Sequence, residues 1–150
     1  HYLPTDSTAI PYGQPDKVAG TPFDFTTEHT IGERIDAEHQ QITVGKGYDH
    51  CYVVDKFEED EQSLAVKCVS PKTGIIMEIY TSEPGVQIYT ANWLPGKQEG
   101  KNGHYYPERS AVCFETQHFP DSINQPKFPS IVLKPGELFV SYTDFCFSAE

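Results

Sequence analysis

The chain is short of positive charge: 11 Lys and Arg stand against 22 Asp and Glu, for a net charge of −11, and the basic residues form no cluster. Nucleic acid and anionic membrane both require a basic footprint, so neither is expected as a partner. A phosphorylated substrate is disfavoured on the same ground, because only Arg34 and Arg109 could supply a guanidinium. No run of eighteen apolar residues and no signal-like segment occurs, so no membrane span is expected. The four cysteines, Cys51, Cys68, Cys113 and Cys146, include no C-x-x-C pair, which removes the usual zinc and dithiol motifs. Their neighbours are mostly apolar or aromatic. They read as buried free thiols in a reducing compartment, and the expected location is cytoplasmic. There is no N-x-[ST] acceptor, no P-loop and no G-x-G-x-x-G turn.

What is present is aromatic and rich in turn formers. Nine Tyr and nine Phe accompany 12 Pro and 11 Gly spread along the 150 residues. Such a composition suits many short strands and few long helices, so an all-β fold is expected. Residues 1–30 carry little periodicity and should form an extended, surface-hugging segment with turns at Pro11-Tyr12-Gly13 and Thr21-Pro22. Residues 30–38 could hold one short helical turn. Strands are predicted over 51–54, 63–69, 75–80, 86–90, 111–116, 130–133 and 138–147, with a hairpin turn at Pro71-Lys72-Thr73-Gly74. The acidic run Glu58-Glu59-Asp60-Glu61 reads as a solvated loop tip, and residues 97–103 as a flexible surface loop. No internal repeat and no domain boundary is visible.

Three polar groups stand out by their surroundings. Glu115 lies in Phe114-Glu115-Thr116-Gln117-His118-Phe119-Pro120-Asp121, where burial in an aromatic run would raise its pKa towards the working range of a general acid or base. A rim carboxylate on a strand is the plainer alternative. Asp49 in Gly47-Tyr48-Asp49-His50 could accept bonds from two adjacent hydroxyls, or could simply cap its own turn. Gln87 offers both a donor and an acceptor, or points to solvent.

Four segments, in order, bear on these: Gly20-Thr21-Pro22-Phe23-Asp24-Phe25, Gly47-Tyr48-Asp49-His50, Glu83-Pro84-Gly85-Val86-Gln87-Ile88-Tyr89-Thr90-Ala91-Asn92, and Glu115-Thr116-Gln117-His118-Phe119-Pro120-Asp121. Together with Tyr2-Leu3-Pro4-Thr5-Asp6, Phe128-Pro129-Ser130 and Pro135-Gly136-Glu137, the chain resembles the galactose mutarotase (aldose 1-epimerase) family over nearly its whole length. The resemblance implies a large antiparallel β-sandwich (supersandwich), incomplete without an N-terminal half. Residues 1–150 would be the C-terminal portion of a single aldose 1-epimerase domain, and the start at His1 suggests a fragment, a processed product or one of two chains. The implied activity is interconversion of the α and β anomers of free hexoses such as galactose or glucose, by acid-base ring opening without a cofactor or metal. The alternative is a non-catalytic carbohydrate-binding protein.

The resemblance assigns Glu115 as general base on the anomeric hydroxyl, and Asp49 and Gln87 as sugar-binding residues. His50 and His118 adjoin the two carboxylate motifs and could orient them, line the pocket or be structural. The family's acid histidine belongs to its N-terminal half and has no counterpart here, since His1 falls outside that motif. Thr90-Ala91-Asn92-Trp93 departs from the commoner Thr-Gly-Asn-Phe, and alanine at 91 is comfortable only with negative φ.

Overall fold

The computed structural model describes residues 1–55 and 61–149. Among the described residues, six strands and little helix make the fold all-β: β1 Asp49–Val53, β2 Ser63–Val69, β3 Ile75–Thr81, β4 Gly85–Tyr89, β5 Cys113–Gln117 and β6 Thr143–Ala149. They form two three-stranded sheets, ordered β1-β4-β5 and β2-β3-β6. Residues 58–60 of the acidic run lie outside the described residues.

The described residues group into two compact units, the first His1–Tyr52 with Gln87–Glu115, the second Val53–Val86 with Thr116–Glu150. The core of the first is aromatic. Tyr2, Phe23, Ile35, Ile42 and Tyr48 are buried together, with Tyr52 and Ile88 packed against them. The Tyr2 and Phe23 rings stack with centroids 4.3 Å apart, and the Tyr48 hydroxyl donates to the Pro22 carbonyl at 3.0 Å. Residues 1–30 are therefore less superficial than expected: Leu3 and Phe23 rank among the largest fully buried side chains. Their apolar positions are separated by turns rather than by a regular period, which hides them from periodicity. The turn at Thr21-Pro22 forms as predicted, with the Asp24 N–H donating to the Thr21 carbonyl at 3.2 Å.

One helix was not expected. The predicted turn near residue 30 is a one-turn 3-10 helix, Ile31–Glu33, while α1 spans Gln40–Gly45. It is only six residues long and depends on its ends. His39 accepts the Gln41 N–H on its ring, and Lys46 closes the helix in the left-handed region at φ 55°, its N–H turned back on the last carbonyls. A sequence window this short carries no helical period.

In the second unit, β2 and β3 pair antiparallel through the predicted hairpin, where Ser70 N–H meets the Ile75 carbonyl at 2.8 Å and Gly74 takes φ 71°. β6 pairs antiparallel with the other side of β3. Two expected strands are corrected: residues 130–133 form none, and the last strand begins only at Thr143. Their apolar side chains, Leu138 and Phe139 among them, are exposed, so no neighbouring ladder among the described residues holds them as strand. The cysteines are free thiols, but only Cys51 is buried, and burial pushes its thiol up to about 12. Cys113 and Cys146 are exposed because β5 and β6 are the end strands of their sheets.

Candidate functional site

The local geometry begins at the turn between α1 and β1. Gly47 has φ 138°, a conformation open to glycine, and a Cβ on it would lie 2.6 Å from Asn92 Oδ1. Asn92 is buried and cannot give way. Its Nδ2 donates to the Gly45 and Tyr48 carbonyls, both at 2.9 Å, and its Oδ1 accepts from the Thr90 hydroxyl at 2.7 Å. Asn92 thus ties the turn after β4 to the turn before β1. Ala91 sits between, buried, at φ 55°. The alanine therefore occupies a left-handed position that glycine would suit better, at a strain of about 1–2 kcal/mol.

From this turn β1 alternates. Tyr48, His50 and Tyr52 all contact the Phe23 ring, so Asp49 points to the other face. On β4, Ile88 packs on the same core and Gln87 points away from it. The structure brings these two predicted residues together, with Gln87 Nε2 donating to Asp49 Oδ1 at 2.8 Å. Gln87 Oε1 is buried and has no hydrogen-bond partner among the described residues. An acceptor left unpaired in this way costs about 1–3 kcal/mol. A ligand hydroxyl would satisfy it.

Glu115 occupies the middle of β5, the strand beside β4, so the three predicted residues stand on three successive strands of one sheet. Its burial, inferred from the aromatic neighbours, is not observed: Glu115 is exposed. The reason is the place of β5 at the end of its sheet, with no described strand on its outer side.

His50 has a structural role. It is wholly buried, its Nδ1 accepts the Asp49 N–H at 3.2 Å, and its Nε2 lies 3.0 Å from Gln41 Oε1. Because Nδ1 accepts, the proton resides on Nε2 and is donated to Gln41. Gln41 in turn brackets Thr5, accepting its N–H at 2.7 Å and donating to its carbonyl at 3.0 Å. Burial, with a smaller contribution from nearby His39, lowers the His50 pKa from 6.5 to about 4. A group with a depressed folded pKa binds its proton first in the unfolded state. The associated stability is complete above pH 6.5 and is lost as pH falls towards 4, by about 3 kcal/mol in total. Urea denaturation between pH 7 and 4.5 should show this decline; a flat profile would remove His50 as an acid trigger.

In the second unit, His118 Nδ1 lies 2.6 Å from the buried Glu83 carboxylate, an ion-pair contact rather than an aligned hydrogen bond. Beside it a chain of hydroxyls runs from Thr116 to Thr143 at 2.7 Å and on to Thr81 at 3.2 Å, and the Thr81 hydroxyl accepts the Glu83 N–H at 3.0 Å. His118 is therefore paired with Glu83, not with Glu115. Nothing in the sequence pattern singles out Glu83, Asn92 or Gln41; only the folded contacts reveal them.

No described helix is long and apolar enough to cross a membrane. The sequence profile of the aldose 1-epimerase family matches residues 1–146. Galactose mutarotase of Rattus norvegicus is 41% identical over 147 residues, covering 98% of this chain and 41% of that protein. Aldose 1-epimerase of Escherichia coli is 33% identical over 151 residues, 99% of this chain and 43% of that protein. Among solved structures, the GalM/aldose epimerase homologue from C. elegans superposes with a TM-score of 0.81 at 28% identity, covering 99% of this chain and 43% of that one. The chain spans about two fifths of the length of the relatives it matches. With a fold of the galactose mutarotase type and a matching family profile along nearly all its residues, the chain belongs to the aldose 1-epimerase family.

Proposed function

We propose that residues 1–150 form the C-terminal portion of a single aldose 1-epimerase domain that interconverts the α and β anomers of free hexoses such as galactose or glucose. The observation that carries this reading is the Asp49–Gln87 pair, a carboxylate and an amide joined at 2.8 Å with Gln87 Oε1 left unpaired. Sugar hydroxyls are donors suited to both groups. Glu115, on the adjoining strand, serves as the base. It removes the proton of the anomeric hydroxyl, the C1–O1 bond becomes a carbonyl as the C1–O5 bond breaks, and the ring oxygen takes a proton from an acid. Rotation about C1–C2 and reversal of these steps give the other anomer.

The acid comes from the rest of the domain. β6 is exposed along nearly its whole length, with Phe145 and Phe147 uncovered, and the exposed apolar residues 131–133 and 138–140 add to that surface. An uncovered end strand with apolar side chains is a surface for further pairing. The enzyme works in the cytoplasm, where its free thiols persist. Polarimetry of freshly dissolved α-D-galactose tests the reading. The chain alone should add little to the spontaneous rate, and mixing with the N-terminal half of a relative should accelerate it. No acceleration on mixing, with a complex formed, would count against this function.

A further inference from the structure

Beside Asp49 the first unit holds a cavity of about 190 Å³, whose lining includes Thr5, Ser7, Thr8, Val44, Asp49 and Trp93. It is smaller than the ~300–1,000 Å³ pockets that hold drug-sized ligands, which suits a ligand no larger than a monosaccharide. Trp93 is the only tryptophan of the chain and is half exposed. It is nevertheless held firmly. Its N–H donates to the Tyr89 hydroxyl at 3.1 Å, Lys46 Nζ lies 4.1 Å from the centre of its ring, and the preceding Asn92 is bonded into the turn. Lone exposed aromatics are common on protein surfaces and mean little. Here, a large ring is fixed by a cation and a backbone hydrogen bond at the edge of a cavity that also contains a carboxylate and hydroxyls.

We propose that Trp93 is the stacking platform of the sugar site: the C–H face of a pyranose lies against the indole, and its hydroxyls meet Asp49 and the Ser7 and Thr8 hydroxyls. A pyranose is amphipathic in just this sense, with apolar C–H patches on its faces and hydroxyls around its edge. An aromatic wall with a few placed polar groups suits it. Lys46 Nζ covers one face of the ring, so the sugar would take the other. The proposal rests on the reading that Asp49 binds the substrate sugar.

The single tryptophan makes the test direct. The chain is labelled with 5-fluorotryptophan, giving one fluorine signal, and titrated with D-galactose by NMR, alone and with an unlabelled N-terminal half, while backbone amide shifts of Asp49 and Gln87 are followed in parallel. The expected result is a saturable fluorine shift with the same Kd as the amide shifts, and no shift with the open-chain polyol galactitol. Trp93→Ala, at an exposed position, should keep its melting temperature and weaken binding about tenfold; Trp93→Phe should lie between. Binding reported by the amides with a silent fluorine signal and an unchanged Kd in Trp93→Ala would overturn the platform alone. Absence of galactose binding in both settings would overturn it together with the reading of Asp49.

Discussion

Gly47→Ala is expected to lower the melting temperature by about 8–16 °C, although the change adds a single methyl group. Two costs combine. At φ 138° an L side chain is strained, for about 1–3 kcal/mol. The new Cβ would also lie 2.6 Å from Asn92 Oδ1, and overpacking of a tight site costs a further 1–3 kcal/mol or so. The side chain it meets has no freedom to retreat, being bonded to Gly45, Tyr48 and Thr90. A total of about 4 kcal/mol, at roughly 2–4 °C per kcal/mol for a chain of this size, gives the stated range. Gly20→Ala is the control, because Gly20 also has a positive φ of 77° but nothing within 4 Å of its would-be Cβ. It should cost only the conformational part. Combining Gly47→Ala with Asn92→Ala should cost less than the two changes added, since the second removes the atom that the first strikes. Equal losses for Gly47→Ala and Gly20→Ala would show that the contact with Asn92 carries no energy.

The same turn shows why the sequence was legible in some places and not in others. Gly47-Tyr48-Asp49-His50 was readable as a motif, and Asp49 and Gln87 were readable as candidate sugar-binding residues, but not as neighbours. Their contact is a matter of strand order, which places β1 beside β4 across more than thirty residues of chain. Strands β2 and β3 and their hairpin followed from alternation and a Pro-Lys-Thr-Gly turn, both local signals. The helix α1 did not, because its stability comes from its caps and from Gln41 and His50 rather than from a period. Glu115 failed in a different way. Aromatic neighbours in sequence suggested burial, yet neighbours along a strand alternate between faces, and an end strand lacks the ladder that would cover it. The expected strand at 130–133 and the first part of the one expected at 138–147 share this cause, since apolar alternation predicts a strand only when something pairs with it. Ala91 was readable as a conflict and proved to be one, a left-handed alanine in a buried turn.

Glu115→Gln, in the complex with an N-terminal half, should reduce kcat for galactose mutarotation by about 10²- to 10⁴-fold, the usual contribution of a positioned general base. The amide keeps the shape and can still hydrogen-bond a hydroxyl, but it cannot take a proton. Folding should hardly change, because Glu115 is exposed and surface substitutions of this kind stay within about 0.5 kcal/mol. Binding should also survive, since Asp49 and Gln87 remain joined. Asp49→Asn supplies the contrast. It leaves the base in place but removes the charged acceptor, so KM should rise more than kcat falls. The two variants therefore separate the two proposed roles within one sheet, proton transfer on β5 and sugar recognition on β1 and β4. Polarimetry over a range of galactose concentrations reads both constants. If Glu115→Gln kept a substantial fraction of wild-type kcat, the proton would have to leave through another group, and the assignment of the base would fall while that of the sugar-binding pair stood.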